Sequence, residues 1–203
     1  MDPAYVEIVP LGLLDPTLPA ALAAQIPTVF GLPCTTGRPE ALPAAAFDAG
    51  RGQYGARALI DHLARGRSTA LRRLGLTSVD LCSPIMRYVF GEAMLGGPCA
   101  IVSIHRLGTG GADAAGLDKT HLLARAVKEG IHELGHTFDL VHCDDPECVM
   151  AASIDVAHVD AKSFAPCRYC RIALADGLAR PAGIRRNGGR NVRIMPWRPL
   201  GRV

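Results

Sequence analysis

HELGHTFDLVH, residues 132–142, is the most informative stretch of the chain. On an α-helix, successive residues are about 100° apart, so His132 and His136 project within roughly 40° of each other. Glu133 lies beside the first histidine, close enough to reach a water molecule on a metal held by the pair. Two imidazoles and a neighbouring carboxylate on one helix face are typical of a zinc hydrolase.

The third histidine of the stretch requires the helix to end. His142 is ten residues after His132, so on a continuing helix it would point some 80° away from the shared face. We expect the chain to turn back at Asp139, in the left-handed conformation that Asn and Asp tolerate best after glycine. The Asp139 carboxylate would hydrogen-bond within this turn or, as the alternative, orient a ligand.

Four cysteines follow the third histidine. They form a C-x4-C pair and a CxxC pair with eighteen residues between them: Cys143, Cys148, Cys167 and Cys170. This spacing predicts a closed, structural zinc site, which would anchor the chain where His142 must be held. The alternatives are four buried cysteines without a metal, or a redox-active CxxC, although no thioredoxin-like pattern surrounds it.

The composition excludes several classes of protein. The chain has 203 residues, of which 49% are hydrophobic, so it can bury the core of one domain. It contains no run of eighteen apolar residues, and its N-terminus, MDPAYVEIVP, lacks a basic segment followed by an apolar run, so we expect neither a membrane span nor a secretory signal. Seven cysteines, an odd number, favour free thiols or metal ligands over disulfides, and we expect a cytoplasmic protein.

The net charge of +3 conceals an asymmetry. Residues 171–203 contain eight arginines and one acidic residue, Asp176, whereas the remainder of the chain has an excess of acidic residues. A basic tail is one way to contact nucleic acid or an acidic partner. Because Trp197 is the lone aromatic residue that interleaves these arginines, we do not expect nucleic-acid binding.

Periodicity along the rest of the chain predicts a mixture of helices and strands. The predicted helices cover residues 19–27, 53–65 and 118–138. The predicted strands cover residues 4–10, 76–81, 88–95 and 100–107, the last three in one sheet. Residues 31–52 are dense in Pro and Gly and are expected to form a loop, with a short strand near Phe47.

The stretch over residues 132–142 resembles the metzincin signature, and the residues after it, HCDDPECVM and CRYC, resemble the archaemetzincins in particular. The resemblance includes FGEAM, residues 90–94, and covers most of the chain up to about residue 180. The resemblance implies that His132, His136 and His142 are the ligands of a catalytic zinc. It also implies that Glu133 is the general base and Met150 the methionine of the Met-turn. Without the resemblance, Met150 would be an ordinary core methionine. The departure from the pattern is Asp139, where metzincins have glycine.

The resemblance also implies a fold. We expect an α+β, metzincin-like twisted mixed sheet, with an α/β-type N-terminal part, a long active-site helix and a small C-terminal lobe stabilised by zinc. The strand over residues 100–107 is expected to form the edge of the sheet along the cleft, where an extended peptide can pair with it. On this strand, His105 is a candidate for lining the cleft.

The expected domain organisation follows from the same resemblance. Residues 1–180 would form the catalytic domain, divided into subdomains at about 1–139 and 140–180, the second with the four-cysteine zinc site. Residues 181–203 would form a basic tail.

The predicted function is a zinc-dependent metallopeptidase with two zinc ions per chain, one catalytic and one structural. We expect short peptides as substrates, because an unregulated protease without a propeptide would endanger its own cell. The alternative is a zinc-stabilised binding module for nucleic acid or protein, and a third possibility is that Asp139 misplaces His142 and turnover is negligible. Glu133 argues against the binding module, since a purely structural three-histidine site needs no carboxylate at that position.

Overall fold

The computed structural model describes residues 4–108 and 118–180. Its strands are β1 (Val6–Leu11), β2 (Cys34–Thr36), β3 (Phe47–Asp48), β4 (Gln53–Gly55), β5 (Arg72–Thr77), β6 (Leu81–Cys82), β7 (Gly91–Ala93) and β8 (Cys99–Ser103). Its α-helices are α1 (Thr17–Phe30), α2 (Ala56–Arg65), α3 (Lys119–Thr137), α4 (Val156–Ala161) and α5 (Arg168–Ala179). Among the described residues, no helix combines the length and the apolar character that crossing a lipid bilayer requires.

A five-stranded mixed sheet forms the centre of the fold, in the order β2-β1-β5-β8-β7. The first four strands run parallel to their neighbours, whereas β7 pairs with β8 in the antiparallel direction and forms one edge. Strands β3, β4 and β6 form a separate three-stranded sheet. The predicted α+β fold with a mixed sheet is confirmed.

The edge strand differs from the prediction. The sequence analysis places residues 100–107 at the edge, but β8 lies between β5 and β7. All five residues of β8 are buried, as is typical of an interior strand that is covered on both faces. Strand β7 is short, half-buried and carries Glu92, and short charged strands are what natural sheets place at their edges.

We expected the strands after residue 75 to lie in one sheet, and this prediction is also wrong in part. The predicted strand over residues 76–81 is divided between two sheets, because β5 ends at Thr77 and Leu81 begins β6 in the smaller sheet. Ser103 holds this junction together, since its hydroxyl donates to the Val79 carbonyl at 2.6 Å.

Helices cover both faces of the central sheet. One face carries α1 and α3, with Leu22 and Ile131 in the same buried cluster as Leu74 of β5. The other face carries α2, which buries Leu59 and Leu63 in a second cluster. A Cβ at Gly130 of α3 would lie 2.6 Å from Leu22 Cδ2, so the glycine allows α1 and α3 to approach closely.

Some predicted element bounds shift. Helix α1 continues through Pro27 and ends at Phe30, where Gly31, at φ +65°, donates its N–H to the Pro27 carbonyl. Residues 53–55, expected to begin a helix, form β4, and the expected loop over residues 31–52 also contains β2.

The segment after α3 is fastened to that helix by polar contacts. Arg125 binds both carboxylate oxygens of Asp160 at 2.7 Å, and Lys128 donates to the Val159 and Asp160 carbonyls. Helix α5 packs its Gly177 against the backbone of Phe138. The division into subdomains near residue 139 stays a prediction, and the tail over residues 181–203 lies outside the described residues.

Candidate active site

The three histidines of the opening stretch lie together. His132 and His136 are on α3, and His142 returns from the segment after the helix, so that one nitrogen from each ring lies within 4.8 Å of the others. The ring centroids of His132 and His142 are 5.3 Å apart, and those of His136 and His142 are 5.0 Å apart. The chain therefore turns back after α3, as His142 requires.

Asp139 makes the turn. Its φ is +68°, the left-handed conformation, and Leu140 donates its N–H to the Gly135 carbonyl across it. The Asp139 carboxylate accepts from Arg180 Nη1 at 2.6 Å and lies against Gly96, where a Cβ would collide with it. Among the residues that the structure describes, the carboxylate forms no hydrogen bond with a histidine ring.

Backbone carbonyls fix the orientation of two rings. His132 donates from Nδ1 to the Val149 carbonyl at 2.8 Å, and His136 donates from Nδ1 to the Leu140 carbonyl at 2.7 Å. Each ring then presents a lone pair at Nε2. These two Nε2 atoms are 3.1 Å apart, close to the roughly 3.3 Å that a tetrahedral zinc with Zn–N bonds of 2.0–2.1 Å would impose.

The charge state of the rings also suits a metal. Burial lowers the pKa of His132 far below its ordinary value and lowers that of His136 to about 4, while burial lowers the pKa of His142 as well. Neutral imidazoles are the form that binds zinc, and two facing lone pairs without a cation would repel. The donor set therefore fits a zinc ion.

Glu133 is buried next to these rings. It is 5% exposed, and its pKa is raised well above the ordinary value by burial and by the neighbouring charges of Glu129 and Glu92. A Cβ at Gly91 would lie 2.6 Å from Glu133 Cγ, so the edge strand passes directly over the carboxylate. A larger residue at position 91 would displace either the strand or Glu133.

A cavity of about 470 Å³ opens onto the histidines and Glu133. Its upper wall is formed by residues between 83 and 95, which include β7, and its lower wall by residues 152–154. Tyr88 bridges the two walls by donating its hydroxyl to the Ile154 carbonyl at 3.0 Å. His105 lies outside the residues that line this cavity, as expected now that β8 is an interior strand.

The sequence analysis missed a buried ion pair beside this cavity, of which Glu129 lines the cavity wall. Lys162 Nζ binds Glu129 Oε1 at 2.9 Å, with the two side chains 0% and 4% exposed. Glu129 could have been found, because it lies four residues before Glu133 on the same helix face. Lys162 carries no such signal, since only the fold brings it to α3.

The four cysteines form a second group. Their sulfur atoms lie within 4.8 Å of one another, and the Cys143 and Cys167 sulfurs are 3.8 Å apart. Zn–S bonds of about 2.3 Å in a tetrahedron give the same separation, whereas a disulfide would bring the sulfurs to about 2 Å. Backbone N–H groups of Met150 and Cys167 donate to the Cys148 sulfur. The arrangement fits a closed zinc site.

The thiols of this group differ in acidity. An N–H of Cys170 lowers the pKa of Cys167 to about 7, whereas burial raises the pKa of Cys170 and of Cys143. Four thiolates at such short separations need a cation to hold them. The three remaining cysteines are half-buried or buried outside the group: Cys34, Cys82 and Cys99.

Met150 lies beneath the histidines. It is fully buried, and a Cβ at Gly135 would lie 2.5 Å from its sulfur, so the methionine packs on the backbone of α3 between His132 and His136. Its carbonyl accepts the N–H of Cys143 at 2.9 Å. Met150 therefore touches the segments that carry both groups of candidate ligands.

Comparisons with known proteins identify the family of the chain. The model of peptidase family M54 matches residues 32–176. An archaemetzincin of Methanopyrus kandleri is 45% identical over 139 residues, which cover 68% of this chain and 75% of that protein. An archaemetzincin of Pyrococcus furiosus is 33% identical over 180 residues, covering 85% and 93% of the two chains.

Solved structures give the same result. The crystal structure of the Methanopyrus kandleri archaemetzincin superposes with a TM-score of 0.78 and 36% identity, covering 87% of this chain and 96% of that one. A zinc-dependent peptidase of Methanocorpusculum labreanum superposes with a TM-score of 0.73 and 28% identity, covering 83% and 99%. The chain therefore belongs to peptidase family M54, the archaemetzincins, and is a zinc metallopeptidase.

Proposed function

We propose that His132, His136 and His142 hold the catalytic zinc of this peptidase and that Glu133 is its general base. The observation that carries the proposal is the convergence of two fixed Nε2 lone pairs and a buried carboxylate on one cavity. A zinc ion held by three neutral ligands keeps its full charge, and would polarise a substrate carbonyl and lower the pKa of a water molecule to about 7.

The residues of the chain would supply the remaining steps. Glu133 would accept the proton of the attacking water and deliver it to the departing amine, which requires a carboxylate that faces the cleft and has no competing partner. Its position beneath Gly91 places it where the edge strand would hold an extended peptide. Met150 would keep the floor of the site apolar and rigid.

We also propose a second, structural zinc held by Cys143, Cys148, Cys167 and Cys170. The match between the observed 3.8 Å sulfur separation and tetrahedral zinc geometry supports this ion. Seven free cysteines favour a reducing compartment, and we place the protein in the cytoplasm. The three-residue edge strand suits short peptides as substrates.

No contact among the described residues favours the nucleic-acid-binding alternative. It depends on the four-cysteine group and on the basic tail, and residues 181–203 of that tail lie outside the described residues.

The test of the chemistry is Glu133→Gln. This variant keeps the shape of the side chain but cannot accept a proton, so kcat/KM for peptide cleavage should fall by about 10²–10⁴-fold while the zinc content stays the same. Thermal stability should be retained or raised, because a buried carboxylate next to Glu129 and Glu92 is removed. Asp176→Asn, on the exposed face of α5, is the control for loss of an acidic residue. Full activity in Glu133→Gln would exclude Glu133 as the base.

A further inference from the structure

Glu92 is a carboxylate of the cleft that the proposed mechanism does not use. It lies in the middle of the edge strand β7, which lines the cavity, and its side chain is on the face of the sheet that carries Ile101 and α2, opposite the face that carries α3. Within the part of the chain that the structure describes, its carboxylate makes neither a hydrogen bond nor an ion pair. Arg57 of α2 attracts the Glu92 carboxylate electrostatically from a longer distance. The Arg57 side chain forms its ion pair with Asp61, with Nε 3.0 Å from Oδ1.

Among the described residues, no cationic side chain forms an ion pair with Glu92. Burial raises its pKa, Arg57 opposes this rise, and Asp61 reinforces it. Glu129, another acidic residue of the cavity, differs because Lys162 neutralises it. An unpaired carboxylate that is partly removed from water is stabilised by a cation that approaches it along the edge strand.

The backbone of β7 determines where such a cation would lie. Ser103 donates to the Phe90 carbonyl at 2.8 Å, and Met94 donates to the Cys99 carbonyl at 3.0 Å. Because backbone groups alternate in direction along an antiparallel strand, Glu92, opposite Ile101, also directs its N–H and C=O towards β8.

The backbone groups of the residues on either side of Glu92 point away from β8. Gly91 and Ala93 direct their N–H and C=O groups to the open edge, where an antiparallel peptide would bind them. The peptide residue opposite Glu92 would then form a non-hydrogen-bonded pair, in which the Cα atoms are about 4.5 Å apart and the side chains share one face of the sheet.

This peptide residue lies close to the reacting bond. Gly91, the immediate neighbour of Glu92, is the point at which the strand passes over Glu133. The side chain opposite Glu92 therefore belongs to a residue near the scissile bond, and opposite charges in such a cross-strand pair stabilise the pairing.

From this geometry, and resting on the peptidase function proposed above, we propose that Glu92 is a specificity-determining residue that selects peptides with a positive charge near the scissile bond. The cation is either the side chain of Lys or Arg or the N-terminal ammonium of the peptide. Both offer N–H donors to the carboxylate, and both would lie beside the edge strand.

The test measures binding to the zinc-loaded Glu133→Gln protein, which keeps the peptide intact. The probes are acetylated, amidated, fluorescent alanine-rich peptides in which one Lys, or its neutral analogue norleucine, is moved along the sequence. Fluorescence anisotropy should show that Lys at one position lowers Kd about fivefold to tenfold relative to norleucine. A second set without the acetyl group tests the N-terminal ammonium.

Two further substitutions decide the role of Glu92. Adding Glu92→Gln should bring the ratio of the norleucine Kd to the Lys Kd to about one, and adding Glu92→Lys should bring it below one, so that norleucine binds more tightly than Lys. Asp176→Asn in the same background should leave the ratio unchanged. If only the free amine tightens binding, and Glu92→Gln removes the effect, the cation is the terminal ammonium.

A preference that survives Glu92→Gln, or the absence of any preference for a cation in both peptide sets, would overturn the proposal. The proposed chemistry fails in a different experiment, since it requires cleavage by the native protein. If the native protein cleaves peptides but shows no preference that depends on Glu92, only the specificity role of Glu92 is excluded. A Glu92-dependent preference without cleavage removes the proposed chemistry alone.

Discussion

The three-histidine group and the four-cysteine group are adjacent in the chain, yet the protein holds them in different ways. Two of the histidines are on α3, and backbone carbonyls orient their rings. The cysteines come from the segment after α3 and from the start of α5, and Cys148 is the one buried member of the group.

The two groups depend on their metals to different extents. His132 and His136 are positioned by the packing of α3 against the central sheet, which would persist without zinc, whereas His142 lies in the segment after α3. The segment over residues 140–180 has short helices and few large buried side chains, so a zinc ion would replace the core that it lacks. The zinc ion at the histidines would serve the reaction, and the zinc ion at the cysteines would stabilise the fold.

Cys170→Ser should have the largest effect on stability. Loss of one of four ligands would release the structural zinc, whose binding supplies several kcal/mol of folding free energy. We expect the midpoint of thermal unfolding to fall by more than about 10 °C and residues 140–180 to become sensitive to proteolysis. Cys34→Ser, outside the group, is the matched control. A stable Cys170→Ser protein with one zinc fewer would contradict the structural role.

Lys162→Met tests whether the segment after α3 is also held without zinc. The substitution leaves Glu129 buried and unpaired, which should destabilise the protein by about 3–5 kcal/mol in chemical denaturation. The double variant Lys162→Met with Glu129→Gln should recover most of this loss, because neither position then buries a charge. Equal stability of Lys162→Met and the native protein would show that the ion pair does not contribute.

Asp139→Gly should have the smallest effect. Glycine relieves the left-handed backbone strain, but it loses the exposed contact with Arg180 and gains freedom in the unfolded chain, so the net change should stay within about 1 kcal/mol. Zinc affinity should not change, since the Asp139 carboxylate, the group that is removed, binds Arg180 and not a histidine ring. Asp139→Asn, which tolerates the same backbone and lacks the charge, separates the two contributions. A large loss of zinc affinity in either variant would place the carboxylate in the site.

Much of the site could be predicted from the sequence, because it depends on local spacing. His132, Glu133 and His136 share a helix face by geometry alone, and the need to bring in His142 predicts a turn. The cysteines are grouped by spacing that a tetrahedral ion imposes. These features lie within a few turns of chain, where sequence distance and spatial distance agree.

The rest depended on contacts between distant segments. The apolar run that forms β8 gave no indication of which neighbour would cover it, so the edge was assigned to the wrong strand. Lys162 is 33 residues from Glu129 and meets it only after α4 packs on α3. The isolation of Glu92 could not be predicted, because an unpaired charge is recognised only when all of its neighbours are known.

The most direct test of the account is the number of zinc ions per chain, measured by elemental analysis of protein purified without added zinc, for the native chain and for His136→Ala. We expect two zinc ions in the native protein and one in the variant, with the thermal stability of the variant largely retained. One zinc ion in both proteins would contradict the assignment of His132, His136 and His142 as a metal site.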